Sequence, residues 1–282
     1  MRLWSFAVLL FLVMSLPVNH LRADVIGFDI QLNITGFTPS QTAIFNSAAA
    51  TWESYITGYK DNVNNTVLTI NATAATIDGV GGVLGSAGPS TGKALVSGRY
   101  LYAQSGAMQF DSADISAMES NGSLSAVILH EMAHVIGIGT LWSSSAVGVA
   151  GYQELYNAGS GQYTGAAALA AWKSEFGQTS ATYVPVELGG GAGTANGHWN
   201  EVDGGSGNTG IVSNITGRDF KYELMTGWLN TPSFISTVTL GSFQDLGYNV
   251  RVVPEPAAWL FAMALSGVAL RQCKKKNRSA GQ

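Results

Sequence analysis

Three of the four histidines in this chain have the spacing of ligands to a single metal ion. His130 and His134 are four residues apart in His-Glu-Met-Ala-His, and residues four apart share one face of an α-helix. His198 follows in Gly-His-Trp, whereas His20 lies in a predicted leader that is removed. A catalytic zinc ion takes three protein ligands and keeps one position open. We therefore predict that His130, His134 and His198 bind Zn²⁺.

Glu131 is the predicted catalytic residue, because a carboxylate beside a metal site can take a proton from the water held there. Glu154, 20 residues after His134, is an alternative third ligand. Thermolysin-like enzymes place a glutamate at about that distance. The residues around Glu154, Tyr-Gln-Glu-Leu, do not match the thermolysin-like motif.

The elements that would position these side chains follow from hydrophobic periodicity and capping signals. Strands are predicted at 26–34, 67–72 and 107–110, and helices at 39–59, 124–135, 164–176 and 240–246. The central helix, 124–135, is apolar on most sides and ends at Gly137, so it should be buried. The glycine-rich segment 79–92 is interpreted as a turn region, and His198 lies in a second glycine-rich loop, 189–210.

Composition excludes some functions. Residues 24–253 contain seven Lys and Arg against seventeen Asp and Glu, a net charge of −10, so nucleic acid is not an expected partner. About 230 residues are enough for one domain with a full core or for two closely joined subdomains. Cys273 is the only cysteine and lies near the C-terminus, so this domain has no disulfide.

Both ends of the chain are predicted to be sorting segments. Residues 1–23 have the basic start and apolar run of a signal peptide, although an uncleaved membrane anchor is the alternative. Near the C-terminus, Pro-Glu-Pro is followed by the apolar run 257–270 and a basic tail. Fourteen residues span about 21 Å of helix, short of a hydrocarbon core of about 30 Å.

The segment 254–282 resembles the PEP-CTERM sorting signal of Gram-negative bacteria. The resemblance implies an exosortase-type enzyme as partner and an exported protein at the cell surface or in the extracellular matrix. Contact with the membrane would be made only through this segment, and only transiently.

The metal motif itself resembles that of the metzincin peptidases, whose H-E-x-x-H-x-x-G pattern is matched from His130 to Gly137. Most metzincins place the third histidine where this chain has Thr140. Leishmanolysin-like peptidases insert a long segment before the third histidine. The position of His198 in this chain is similar to that arrangement. Their Met-turn, a methionine beneath the metal, would correspond to Met225 in Glu-Leu-Met-Thr.

The leishmanolysin-like resemblance implies an α+β fold at 24–253, with a twisted mixed sheet, an active-site helix and a smaller C-terminal subdomain. It implies a zinc endopeptidase that hydrolyses protein or peptide substrates by a Glu131-activated water. The family's disulfides and its inhibitory propeptide cysteine have no counterpart in the domain.

Several alternatives remain open at this point. The chain could be a binding protein that keeps a protease fold without turnover, or a zinc hydrolase acting on a non-peptide amide. A substrate peptide could add as a strand beside 107–110. Asp111 and Asp114 have the spacing of part of an ion site, although the end of a solvated strand is the favoured interpretation.

Overall fold

The computed structural model of the protein describes residues 27–60, 67–94, 99–143, 152–202, 205 and 207–251. The predicted leader, 1–23, and the predicted sorting segment, 254–282, lie outside these residues. Within the described part of the chain, no helix combines the length and the apolar character needed to cross a bilayer.

The described residues form five α-helices, eight strands and one short 3₁₀ helix, which is the mixed α+β composition expected from the sequence. The helices are α1 (Pro39–Tyr55), α2 (Ile115–Asn121), α3 (Leu124–Ile136), α4 (Ala166–Glu175) and α5 (Thr237–Asp245), and the 3₁₀ helix is Phe220–Tyr222. The strands are β1 (Asp29–Thr35), β2 (Ile56–Tyr59), β3 (Val67–Ala75), β4 (Gly85–Ala94), β5 (Leu101–Asp111), β6 (Gln162–Tyr163), β7 (Val184–Pro185) and β8 (Tyr248–Val250).

Four strands form the main sheet in the order β1-β3-β5-β4. The strands β1, β3 and β5 are parallel, and β4 pairs with β5 in the antiparallel direction. Strand β5 is therefore enclosed by two neighbours, and β4 is an edge strand of this sheet. The prediction that a substrate could pair beside 107–110 is wrong, because β3 and β4 already occupy both sides of that segment.

Helix α1 begins as its sequence predicts. Thr38 and Gln41 form a reciprocal capping box, with Gln41 N donating to Thr38 Oγ1 at 3.3 Å and Thr38 N donating to Gln41 Oε1 at 2.9 Å. The helix ends at Tyr55, four residues earlier than predicted. The next four residues instead form β2 and pair with β8 near the C-terminus, a long-range contact that local periodicity does not reveal.

The glycine-rich segment 79–92 is only partly a turn region. From Gly85 onward it forms β4, in register with β5 from the Gly85–Phe110 pair to the Pro89–Gly106 pair. Glycine and proline lower the strand propensity of this segment, so the prediction of turns was wrong here. Pairing with an already formed neighbour strand overrides the local preference.

Helix α3 matches its predicted bounds to within one residue and is buried on most sides. It ends at Gly137, whose φ of +143° is unfavourable for other residues, and Gly137 N donates to Ala133 O at 2.9 Å. Close packing on the sheet depends on Gly106 of β5. A Cβ at Gly106 would lie 2.2 Å from Val135 Cγ1, so the helix rests directly on the strand backbone.

Helices α4 and α5 form as a pair in the C-terminal half. Both are predicted, but α5 begins three residues earlier than expected because Ser236 caps it and accepts from Thr239 N. Gly241 lets the two helices touch, since a Cβ there would lie 2.7 Å from the backbone of Ala168. The residue before α4 makes no side-chain capping hydrogen bond. Asp245, at the end of α5, caps α4 instead, accepting from Ala167 N at 2.8 Å and from Ala168 N at 3.0 Å.

We predict that Gly106→Ala lowers the free energy of unfolding by about 1–3 kcal/mol, because the new methyl overpacks the contact between α3 and β5. Gly88→Ala is the matched control in the neighbouring strand, where the nearest atom to a Cβ is 3.9 Å away. Chemical denaturation of both variants measures the difference. Equal destabilisation by the two substitutions would contradict the prediction.

Candidate metal centre

The structure brings His130, His134 and His198 together at one point. Helix α3 presents the first two from successive turns, and the loop after β7 supplies the third. The three Nε2 atoms lie 3.0 Å from one another. Among the described residues, these three form the one group of histidine, cysteine or acidic side chains with metal-binding geometry.

The other ring nitrogen of each histidine faces a main-chain carbonyl. The acceptors are Leu224 O for His130 at 2.7 Å, Ile138 O for His134 at 2.9 Å and Thr194 O for His198 at 2.7 Å. A carbonyl accepts only, so each Nδ1 must carry the proton. Each Nε2 then directs its lone pair towards the other two Nε2 atoms. The 3.0 Å contacts between the three Nε2 atoms are therefore not hydrogen bonds.

A bound cation would stabilise this arrangement. Three lone pairs in close proximity repel one another, and a bound metal ion turns that repulsion into coordination. Zinc bound at about 2.0–2.1 Å in tetrahedral geometry holds its nitrogen ligands roughly 3.3 Å apart, close to the spacing observed. Carbonyl acceptors on the opposite ring nitrogens are also typical of metal-binding histidines.

Burial keeps these imidazoles neutral. Desolvation, together with the proximity of His130, lowers the pKa of His198 to about 3 and that of His134 well below its ordinary value. Desolvation also lowers the pKa of His130. The neutral imidazole is the form that binds metal.

Glu131 is buried next to the histidines, on the side that faces β4. A Cβ at Gly85 would lie 3.2 Å from Glu131 Oε1, so the carboxylate packs directly against the start of that strand. Burial raises the pKa of Glu131 to about 8, and a cation held by the adjacent histidines would favour its ionised form. Glu154, the alternative ligand, is exposed and is not part of the cluster.

A contact between two backbones brings His198 to the helix. Gly139, three residues after α3, lies so close to Gly197 that a Cβ would be 2.2 Å from Gly197 O. Gly139 also has a φ of +71°. Thr140, where most metzincins carry their third ligand, instead donates from Oγ1 to His134 O at 2.6 Å. The sequence alone did not indicate this role of Gly139.

Met225 is fully buried, and its main chain is tied to the loop that carries His198. Trp199 N donates to Met225 O at 2.9 Å, and Leu224, just before Met225, supplies the carbonyl that holds His130. The turn around Met225 therefore restrains two of the three histidines through the main chain.

Glu223 anchors this turn, a role that the sequence did not reveal. Its Oε1 accepts from Ser236 N at 3.1 Å and Thr239 Oγ1 at 2.7 Å, and its Oε2 accepts from Met225 N. Burial raises the pKa of Glu223 to about 7, against the opposing effect of these donors. The one available sequence signal was a glutamate next to the predicted Met-turn.

Asp111 and Asp114 do not end a solvated strand, so that interpretation was wrong. Both side chains are buried and accept hydrogen bonds from the main chain of the loop before β4. Amide donors, with Ala113 and Asp78 foremost, lower the pKa of Asp111. The carboxylates therefore hold a loop beside the metal centre.

The side of β4 that faces away from β5 has a defined hydrogen-bonding pattern. Asp111 N donates to Leu84 O at 3.1 Å, which makes these two residues a hydrogen-bonded pair. Because such pairs alternate along an antiparallel ladder, Gly85, Ala87 and Pro89 direct their main-chain groups away from β5. Pro89 has no N–H, as is usual for a proline on a strand edge.

We predict that Gly139→Ala weakens zinc affinity by about 10–100-fold, because the methyl would displace Gly197 and His198 with it. Gly159→Ala is the matched control: its φ is also positive, at +81°, but a Cβ there has no neighbour within 4 Å. Competition with a fluorescent zinc chelator measures both affinities. Unchanged zinc affinity in Gly139→Ala would contradict the prediction.

Comparison with known proteins agrees with this geometry. The family model described as leishmanolysin matches residues 93–253, more than half of the chain, and its span includes α3, His198 and Met225. A search of curated proteins finds no match to the chain. The chain belongs to the leishmanolysin family, a family of zinc metallopeptidases.

Proposed function

We propose that the protein is an exported zinc endopeptidase in which His130, His134 and His198 hold the metal and Glu131 is the catalytic base. One observation carries this proposal: three neutral imidazoles direct their lone pairs to one point beside a buried carboxylate. Histidine nitrogens with one open position are the ligand set of hydrolytic zinc sites.

Zinc, when bound, supplies a Lewis acid that lowers the pKa of water to about 7 and stabilises negative charge on a substrate oxygen. Glu131 accepts the proton of the attacking water and returns it to the leaving amine. Its contact with Gly85 fixes the carboxylate between α3 and the edge strand. Burial of Glu131 raises its basicity for the first of these two proton transfers.

The substrate is an extended peptide that pairs with β4, in place of the strand first expected beside 107–110. Gly85 and Ala87 offer an outward N–H and C=O each, and Gly85 lies beside Glu131. Pro89 can only accept a hydrogen bond, and the register of β4 shifts immediately after it. Strand pairing is therefore confined to the segment from Gly85 to Pro89.

Met225 has the role of the family's Met-turn, packing beneath the metal without binding it. Support comes from its complete burial and from the main-chain bonds that connect its turn to Trp199 and Glu223. In this proposal, the residues after α3 form the smaller C-terminal subdomain, which delivers His198 and Met225 to the active-site helix.

Two further proposals concern the ends of the chain. Residues 1–23 are a cleaved export signal, and 254–282 are a PEP-CTERM sorting segment that an exosortase-type enzyme removes near Pro-Glu-Pro. Support comes from the order of apolar and basic residues in both segments. The domain would then reside at the surface or in the extracellular matrix of a Gram-negative cell.

We predict that Glu131→Gln retains zinc but lowers kcat/KM for a peptide by about 10²–10⁴-fold, because the amide cannot accept the proton. His198→Ala is the matched comparison and should lose zinc and activity together, since it removes a ligand. Glu154→Ala should change neither. Zinc analysis and hydrolysis of casein, with and without a chelator, distinguish these results. Substantial turnover by zinc-loaded Glu131→Gln would eliminate the proposed mechanism.

We predict that a chain ending at Val253 folds, binds zinc and cleaves peptide as well as the full chain does. The reason is that 254–282 would be a sorting device outside the enzyme domain. Circular dichroism and peptide hydrolysis compare the two proteins. A truncated chain that fails to fold would show that the apolar run belongs to the core, and the sorting proposal would be wrong.

A further inference from the structure

The loop that leads into β4, residues 78–84, has little apolar contact with the core before Leu84. The side chain of Val80 is 88% exposed and that of Val83 is 45% exposed. Gly79, Gly81 and Gly82 all have positive φ, between +75° and +94°. A glycine-rich segment of this kind has high conformational entropy when it is unrestrained, so its order must come from polar contacts.

Asp111, at the end of β5, supplies most of those contacts. Its Oδ2 accepts from Asp78 N and Gly79 N, both at 2.9 Å, and its Oδ1 accepts from Ala113 N at 2.9 Å. Its own N–H donates to Leu84 O at 3.1 Å. Asp111 therefore binds the first residues of the loop with its side chain and the last residue with its main chain.

Asp114 holds the middle of the same loop. Its Oδ1 accepts from Gly81 N at 2.9 Å, while its Oδ2 is buried and has no hydrogen-bond partner in the described part of the chain. The Asp78 carboxylate closes the loop internally, with Oδ2 accepting from Val83 N at 3.1 Å. Carboxylates thus restrain the start, the tip and the end of the loop.

The loop ends at the point where the proposed substrate strand would begin. Leu84, which Asp111 binds, is followed by Gly85, the first residue of β4 with outward main-chain groups and the one that contacts Glu131. A shift of the loop would therefore move the N–H and C=O groups that receive the peptide.

We propose that Asp111 and Asp114 are positioning residues for substrate binding: they fix loop 78–84 so that Gly85 and Ala87 are ordered to pair with an extended peptide. The inference rests on the proposed peptidase function. Preordering an edge strand removes an entropic cost that would otherwise oppose each binding event. The benefit grows with the number of strand hydrogen bonds that the substrate makes.

The test compares two substrates that share the same scissile bond, an octapeptide and a blocked dipeptide. Asp111→Asn and Asp114→Ala should lower kcat/KM for the octapeptide by about tenfold, the loss of one or two main-chain hydrogen bonds, mostly through KM. Hydrolysis of the dipeptide should stay within about twofold of the unmodified protein. Asp114→Asn keeps an oxygen for Gly81 N and should restore octapeptide cleavage.

Asp219→Asn is the matched structural control. Asp219 also accepts from the main chain of a loop, at Thr209, Gly210 and Lys221, but it restrains a segment of the C-terminal half. Asp219→Asn should lower the free energy of unfolding and should change kcat/KM for the octapeptide and for the dipeptide to the same extent. Equal losses on both substrates in Asp111→Asn and Asp114→Ala, or no loss on either, would overturn the inference.

Amide hydrogen exchange tests the restraint independently of catalysis. The amides of Asp78, Gly79 and Gly81, which donate to the two carboxylates, should exchange faster in Asp111→Asn and Asp114→Ala than in Asp219→Asn. Unchanged exchange would overturn the inference while leaving the peptidase function intact. An unmodified protein that binds zinc and cleaves neither peptide would instead overturn the proposed function, and this inference with it.

Discussion

The geometry of the metal centre depends on one constraint: three imidazole Nε2 atoms are held 3.0 Å apart with their lone pairs directed to one point. Each ring is fixed by a carbonyl acceptor on its Nδ1, and the three acceptors come from different segments of the chain. The end of α3, the loop at Thr194 and the turn at Leu224 must therefore meet around the ion. We infer that metal binding stabilises the arrangement of these segments as well as providing the chemistry.

Buried and part-buried carboxylates connect the segments of residues 27–251, a stretch that contains no cysteine. Glu223 binds the Met225 turn to the start of α5, Asp245 caps α4 from the end of α5, and Glu175 accepts from Ser213 Oγ at 2.7 Å and from Thr237 N at 2.7 Å. Asp111 performs the same task before the edge strand. Each carboxylate accepts several donors, which offsets the cost of burying its charge. These contacts are reversible, unlike disulfides, and they depend on the ionisation of the carboxylates.

Glycines determine how closely the layers approach one another. Gly106 lets α3 rest on β5, Gly139 lets the His198 loop reach the end of that helix, and Gly85 gives Glu131 room beside β4. At each of these positions, a methyl would meet an atom of helix α3, of Glu131 or of the residue before His198. Part of this chain's high glycine content thus serves close packing around the metal centre, in addition to the turns that glycine permits.

The sequence alone predicted the metal-ligand candidates and the helix that carries two of them. The spacing of His130 and His134, the capping box at Thr38 and the bounds of α3 depend on residues within one or two helical turns, so local patterns were sufficient. His198 was the candidate third ligand because it is the remaining histidine outside the predicted leader, and the Met-turn candidate came from family resemblance. Tertiary structure decided that β4 would form from a glycine-rich segment, that 56–59 would leave the helix to pair with β8, and that Asp111, Gly139 and Glu223 would support the site. The partners lie up to 25 residues away for β4, 33 residues away for Asp111 and Asp78, and almost 200 residues away for β2, and no local periodicity records them.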